Sequence, residues 1–185
     1  MTHGVMNDAK VHMQKAVDAT RREFGGVRTG RATPALLERI TVDYYGVQTP
    51  VNQVASVTAP DSRLLVVQPW DKNLVKEVER AILKSELGLV PSSDGTVIRL
   101  PIPSLTEERR RDLVKVVRKH AEEGRVAIRN IRRDHKDKLE QLEKDKKISE
   151  DDGRRAVDDL QKLTDRFIKE IDTLLSAKEA EIMEV

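Results

Sequence analysis

Leu113, Val117, Ala121, Gly124, Ile128, Ile131, His135, Leu139 and Leu142 follow one another at steps of three or four, the α-helical period. This pattern predicts one amphipathic helix from residue 106 to about residue 147. It contains no proline, and Glu107 and Glu108 sit in its first turn behind a cap at Ser104 or Thr106. Some forty residues at the helical rise span roughly 60 Å, too far to be enclosed by one compact core. Two further segments share the period. Met6, Ala9, Met13, Ala16, Thr20, Phe24 and Val27 form an N-terminal seam. That helix is expected to start from an Asn7 or Asp8 cap and to end near Arg28 or Thr29, weakened by Gly25-Gly26. Ala156, Leu160, Leu163, Phe167, Ile171 and Leu174 form the C-terminal seam. It follows Ser149-Glu-Asp-Asp152, a capping box with Asp in place of Glu, and fades near Ile182.

Between residues 36 and 103 the pattern changes. Ile40-Thr-Val-Asp-Tyr-Tyr45 reads as a strand ending at a Gly46 turn, with further strands at 54–57 and 64–68. Asp71 is placed to cap a helix whose seam is Leu74, Val75, Val78, Ala81, Ile82 and Leu87, closed by Gly88. Asp94-Gly95 signals a turn, and 96–100 a last strand before Pro101-Ile-Pro103.

Three long amphipathic helices can bury one another's seams, so the mixed segment becomes an insertion between the first helix and the second. The expected fold is α+β: an elongated antiparallel three-helix bundle with an inserted small β/α/β domain, L-shaped and hinged. The bundle takes residues 1–30 plus 105–185 and the insertion 31–104. Two chain crossings, near 28–34 and 101–106, limit relative motion to rotation about a pivot. That pivot falls at Arg31, Ala32, Pro103, Ser104, Leu105 and Thr106.

Charge sharpens the picture of the central helix. Charged residues make up 36% of the chain and aromatic ones 3%, a composition of long exposed helices with one modest mixed core. The net charge is only +2, so affinity for nucleic acid has to come from a local patch. Such a patch exists. At 100° per residue, Arg111, Arg118, Arg125, Arg129, Arg132 and Lys136 fall in one narrow sector about a quarter-turn from the seam, with Lys115 and Arg133 at its edge. Within it, Glu122 is the one acid between Arg118 and Lys136. An uncompensated row of guanidinium forks suits phosphates and base edges better than it suits plain solvation. Arg28 and Arg31 add charge beside it.

Catalytic chemistry finds little support. Gly25 and Gly30 have the glycine spacing of a phosphate-binding loop, but Arg31-Ala32 stands where Lys and Ser/Thr are required, and a helix precedes them in place of a strand. His3, His12 and His120 fall at the terminus or on helix surfaces and seam edges, and His135 lies in the seam as a packed imidazole. With no cysteine there is no disulfide or thiolate chemistry, which fits a reducing cytosol. The chain starts without an apolar leader and has no apolar run of membrane length, so a cytoplasmic protein is expected. No catalytic residue, metal ligand set or cofactor is expected.

Seven stretches then carry a family resemblance. They are Arg28-Thr-Gly-Arg-Ala-Thr-Pro34, Val42-Asp-Tyr-Tyr-Gly46, Ala55-Ser-Val57, Ile98-Arg-Leu-Pro-Ile-Pro103, Leu105-Thr-Glu-Glu-Arg-Arg110, Arg125-Val-Ala-Ile-Arg-Asn-Ile-Arg-Arg133 and Ile148-Ser-Glu-Asp-Asp152. In that order they resemble the bacterial ribosome recycling factor family over essentially the whole chain. The resemblance implies a triple-helix domain with an inserted β/α/β domain. It implies binding to the post-termination ribosome and, with elongation factor G, splitting into subunits by a monomer without catalytic activity. It also implies a contact of the helical domain with large-subunit ribosomal RNA near the peptidyl-transferase centre through Arg129, Asn130, Arg132 and Arg133. Arg28 and Arg31 carry over as RNA-facing or hinge-supporting. The alternative left open by the residues is a helical adaptor or RNA-binding scaffold with no ribosome-splitting role.

Overall fold

A computed structural model of the chain describes residues 1–27 and 29–184. In chain order its regular elements are α1 (Thr2–Gly25), β1 (Thr41–Tyr44), β2 (Val47–Pro50), β3 (Ala55–Asp61), β4 (Leu64–Pro69), α2 (Val75–Lys84), β5 (Ser92–Ser93), β6 (Ile98–Pro101), α3 (Glu107–Lys144) and α4 (Glu150–Met183). They divide into two compact units, Met1–Val27 with Arg110–Val185 and Arg28–Arg109.

The first unit is a bundle of α1, α3 and α4. Along α3, Leu113, Val117, Ala121, Gly124, Ile128, His135 and Leu139 are buried, while Ile131 and Leu142 are half-buried. Thr106 Oγ1 accepts from Arg109 N at 3.1 Å and starts the helix. The far end closes on Lys146, at φ 57°. There Lys146 N donates to Glu143 O at 3.0 Å and Lys147 N to Leu142 O at 2.9 Å, the Schellman pattern. Ser149 Oγ then accepts from Asp152 N at 3.0 Å to begin α4, whose Ala156, Leu160, Phe167 and Ile171 are buried as the seam requires.

The N-terminal helix departs from expectation at both ends. It begins at Thr2, about two turns before Asn7 and Asp8, because no proline or competing cap stops it and the Asp8 carboxylate is engaged elsewhere. It ends at Gly25, earlier than Arg28 or Thr29, where Gly26 N reaches both Arg22 O and Glu23 O at 3.2 Å. Its buried face also includes Val17 in place of Ala16.

In the second unit a four-stranded antiparallel sheet, ordered β3-β4-β6-β5, sits beside the two-stranded ribbon β1-β2. Val57 faces Val67, Val67 faces Ile98, and Leu65 faces Leu100. Leu65, Val67, Ile98 and Leu100 are buried in one core with Val75, Val78 and Ile82 of α2. Asp71 caps as expected, but it caps a short 3-10 turn that leads into α2 (Asp71 Oδ1 accepts from Asn73 N at 2.9 Å). The helix stops at Lys84 and not at Gly88: the Ser85 backbone turns extended (ψ 161°), and its N–H and hydroxyl both donate to Ile82 O, at 3.2 and 2.6 Å. Strands β2 and β5 were not anticipated. Val47 and Gln48 are exposed and β5 is two residues long, so neither shows an alternating burial signal. The ribbon turns through Tyr45 and Gly46, both at positive φ, with Asp43 Oδ1 accepting from Gly46 N at 2.8 Å.

Candidate nucleic-acid interface

The helical period that buries the α3 seam also places Arg118, Arg125 and Arg129 along the flank of α3 that meets α4. Arg118 Nε lies 2.6 Å from Glu179 Oε1, and Arg125 Nη2 lies 2.6 Å from Asp172 Oδ1. A seven-residue step along α3 is thus matched by a seven-residue step back along α4, the register of an antiparallel pair. Glu122 joins the network, at 3.1 Å from Arg125 and 3.2 Å from Arg129.

These pairings correct the picture of a wholly uncompensated row. Arg125 is the clearest case. Partial burial by itself lowers its pKa, but the bonds from Asp172 and Glu122 outweigh that and hold it above the ordinary arginine value. The Glu179 bond raises Arg118 likewise. Arg125 first, and then Arg129, holds the Glu122 carboxyl below the usual range. Two carboxylates, Glu122 and Asp172, balance the two guanidiniums of Arg125 and Arg129. Charge left for a ligand is therefore concentrated one turn further on.

There the arrangement is different. Arg133 Nη2 donates to the neutral Asn130 Oδ1 at 2.7 Å, which orients the fork without neutralising it. Arg132 is half-buried, and among the described residues no carboxylate pairs with it. Arg129, Asn130 and Arg133 are exposed beside it. An unneutralised fork at Arg132 next to one oriented by Asn130, both on one long helix, is suited to contact phosphate oxygens and base edges. Missing from the sequence reading were the α4 acids, Asp172 and Glu179. Their seven-residue spacing is visible in the chain, but which α3 residues they meet depends on helix register.

Of the remaining site residues, Arg28 lies outside the described residues. Arg31 is exposed, and Ala32 is buried in the core of the second unit, its N–H donating to Ser62 O at 2.8 Å. Ile102 N donates to the neighbouring Arg63 O at 2.8 Å. Both chain crossings are therefore tied to the β3–β4 turn, and Gly30, at φ 80°, packs against Leu105 so closely that an added Cβ would stand 3.0 Å from its Cγ. Pro103, Ser104 and Thr106 are exposed.

Comparison with known proteins bears directly on this geometry. Residues 20–183 match the family model described as ribosome recycling factor. The chain is 60% identical over its full 185 residues to the full-length ribosome-recycling factor of Carboxydothermus hydrogenoformans. The corresponding protein of Desulforamulus reducens is 57% identical, again over all of both chains. Among solved structures, a solution structure of the ribosome recycling factor superposes with a TM-score of 0.82 at 46% identity, covering 100% of this chain and 98% of the other. The T. thermophilus ribosome recycling factor, described with E. coli elongation factor G bound to the E. coli post-termination complex, gives a TM-score of 0.70 at 51% identity with complete coverage of both.

Proposed function

The chain belongs to the ribosome recycling factor family, and we propose from that membership that it acts on ribosomes after termination. It binds the post-termination ribosome and, with the GTPase elongation factor G, promotes dissociation into subunits for a new round of translation. The helical unit binds large-subunit ribosomal RNA near the peptidyl-transferase centre chiefly through Arg132 and Arg133, with Asn130 and the Glu122-paired Arg129 alongside them. The protein works as a cytoplasmic monomer by binding and displacement, with no bond-making step of its own. Supporting this is the set of forks at Arg132 and Arg133, which lie on a 38-residue helix and are not neutralised by the α4 carboxylates. Guanidinium contacts anchor such a helix, and its buried seam keeps it from melting under load.

Arg118 and Arg125 take a supporting role, holding α4 to α3 behind the RNA-facing turn, while Arg28 and Arg31 add positive charge near the crossings. The pivot narrows to Arg31, the exposed Pro103, Ser104 and Thr106, and the half-buried Leu105 that packs on Gly30, since Ala32 is locked in the core of the second unit. The test is co-sedimentation with isolated large ribosomal subunits over a salt series, paired with a subunit-splitting assay containing elongation factor G and GTP. Strong, salt-dependent pelleting that Arg132→Ala largely removes is the expected result. Equal pelleting by both chains moves the contact elsewhere, and absence of pelleting by either returns the protein to an adaptor role.

A further inference from the structure

Asp8 and His12 of α1 and His135 of α3 converge so that one ligand-type atom from each lies within 4.8 Å of the others. The two imidazoles are oriented in the same way. His12 Nδ1 lies 2.7 Å from Asp8 O and His135 Nδ1 lies 2.7 Å from Ile131 O, each partner four residues back along its own helix. A carbonyl oxygen only accepts, so each Nδ1 donates as the rings stand. That leaves Nε2 as the ligand atom of His135, while His12, whose Nδ1 also lies 3.5 Å from Asp8 Oδ2, brings a nitrogen to the same centre by a turn of its exposed ring. Metal-bound histidines are oriented by this device, a backbone carbonyl fixing the tautomer from behind.

The third donor completes the argument. His135, itself buried, directs Nε2 at Asp8 Oδ2 from 2.7 Å. An ionised carboxylate accepts only, so this contact is closed either by a proton or by a cation in the proton's place. Ligand atoms around a tetrahedral ion stand roughly 3.3 Å apart. The half-exposed Asp8 side chain has room to open the pair by that much. Lys138 Nζ, 3.5 Å from the same carboxylate oxygen, opposes a cation there, but its exposed chain can swing into solvent.

We propose that Asp8, His12 and His135 form a site for a divalent transition-metal ion of the zinc class, with water as the fourth ligand, that fastens α1 to α3. Two imidazoles and one carboxylate favour zinc, nickel or cobalt over the oxygen-seeking magnesium and calcium. Asp8 and His135 are 127 residues apart, which is why no spacing in the chain announces the site.

The test is calorimetric titration of the full chain with Zn²⁺, with Mg²⁺ in parallel. One zinc per chain and no saturable magnesium uptake are expected, and Co²⁺ in place of zinc should give the visible absorption of a four-coordinate ion. His12→Ala removes an exposed side chain in favour of the best helix former, so the fold survives. Affinity should fall by at least the roughly 10- to 100-fold that loss of an outer-shell partner costs. Lys138→Gln should tighten binding by removing the opposing charge. Absence of saturable zinc uptake overturns the proposal. So does identical uptake by the intact chain and His12→Ala, which would assign the zinc to another group such as His3.

Discussion

Gly124 of α3 packs against Thr20 of α1 so closely that a Cβ added to the glycine would overlap the threonine hydroxyl oxygen. The same Cβ would stand 2.9 Å from Ile171 Cδ1 of α4, so all three helices converge at this bare backbone. Thr20 cannot easily rotate away, because its Oγ1 donates to Ala16 O at 3.0 Å. In isolation a glycine inside a long helix costs about 1 kcal/mol relative to alanine. Here close approach reverses that preference. Gly124→Ala should destabilise the bundle by about 1–2 kcal/mol net, overpacking outweighing the propensity gain. Urea unfolding of Gly124→Ala, Thr20→Ala and the double variant checks this, the double variant recovering part of the loss.

The two ends of the arginine row should separate in function. Arg132→Ala should weaken large-subunit binding and lower the slope of log affinity against log salt by about 0.7–0.9, one phosphate contact. Arg118→Ala should leave the slope nearly unchanged, because that guanidinium is engaged by Glu179. Parallel sedimentation series on the two variants decide the matter, and equal slopes would count against a contact centred on Arg132.

Flexibility at the second crossing should matter for splitting and not for binding. Ser104 is exposed, and Ser104→Pro creates a Pro-Pro pair that restricts the backbone of residues 103 and 104 to extended conformations. This variant should pellet with large subunits as the intact chain does, while subunit splitting with elongation factor G slows. Unchanged splitting rates would remove the pivot from this segment.

At low pH the second unit should respond through Asp94. Its carboxylate accepts from Val97 N at 2.9 Å and Thr96 N at 3.0 Å, and these bonds, the Val97 one foremost, lower its pKa to about 2 from 3.8. A folded-state pKa below the unfolded value means the stabilisation is complete above about 3.8 and disappears as pH falls through about 2. An NMR titration should place the Asp94 midpoint near 2. Asp94→Asn, which keeps an acceptor oxygen but no charge, should remove this part of the pH dependence.

The periodic seams, the caps at Thr106 and Ser149, the Asp94-Gly95 turn and the α+β layout were legible in the chain because each is a local property. A helix or turn is selected by residues within a few positions of one another, and burial of one face follows from its period. Less legible was the start of α1. Asp8 has the chemistry of an N-cap, yet its carboxylate is taken by His135 and Lys138.

By itself, then, the sequence determined three amphipathic helices, an inserted mixed segment, and a run of guanidinium groups along the central helix. Tertiary structure decided which of those groups remain open to a ligand. Helix register sets Asp172 and Glu179 against Arg125 and Arg118, and it leaves Arg132 without a carboxylate partner among the described residues. It also decided that His135 meets Asp8, and that Gly124 is the point where α3 approaches its neighbours. The physical reason is common to all of these. Ion pairs and close packing depend on distances between residues far apart in the chain, and local periodicity fixes a helix's face without fixing its register against the next helix.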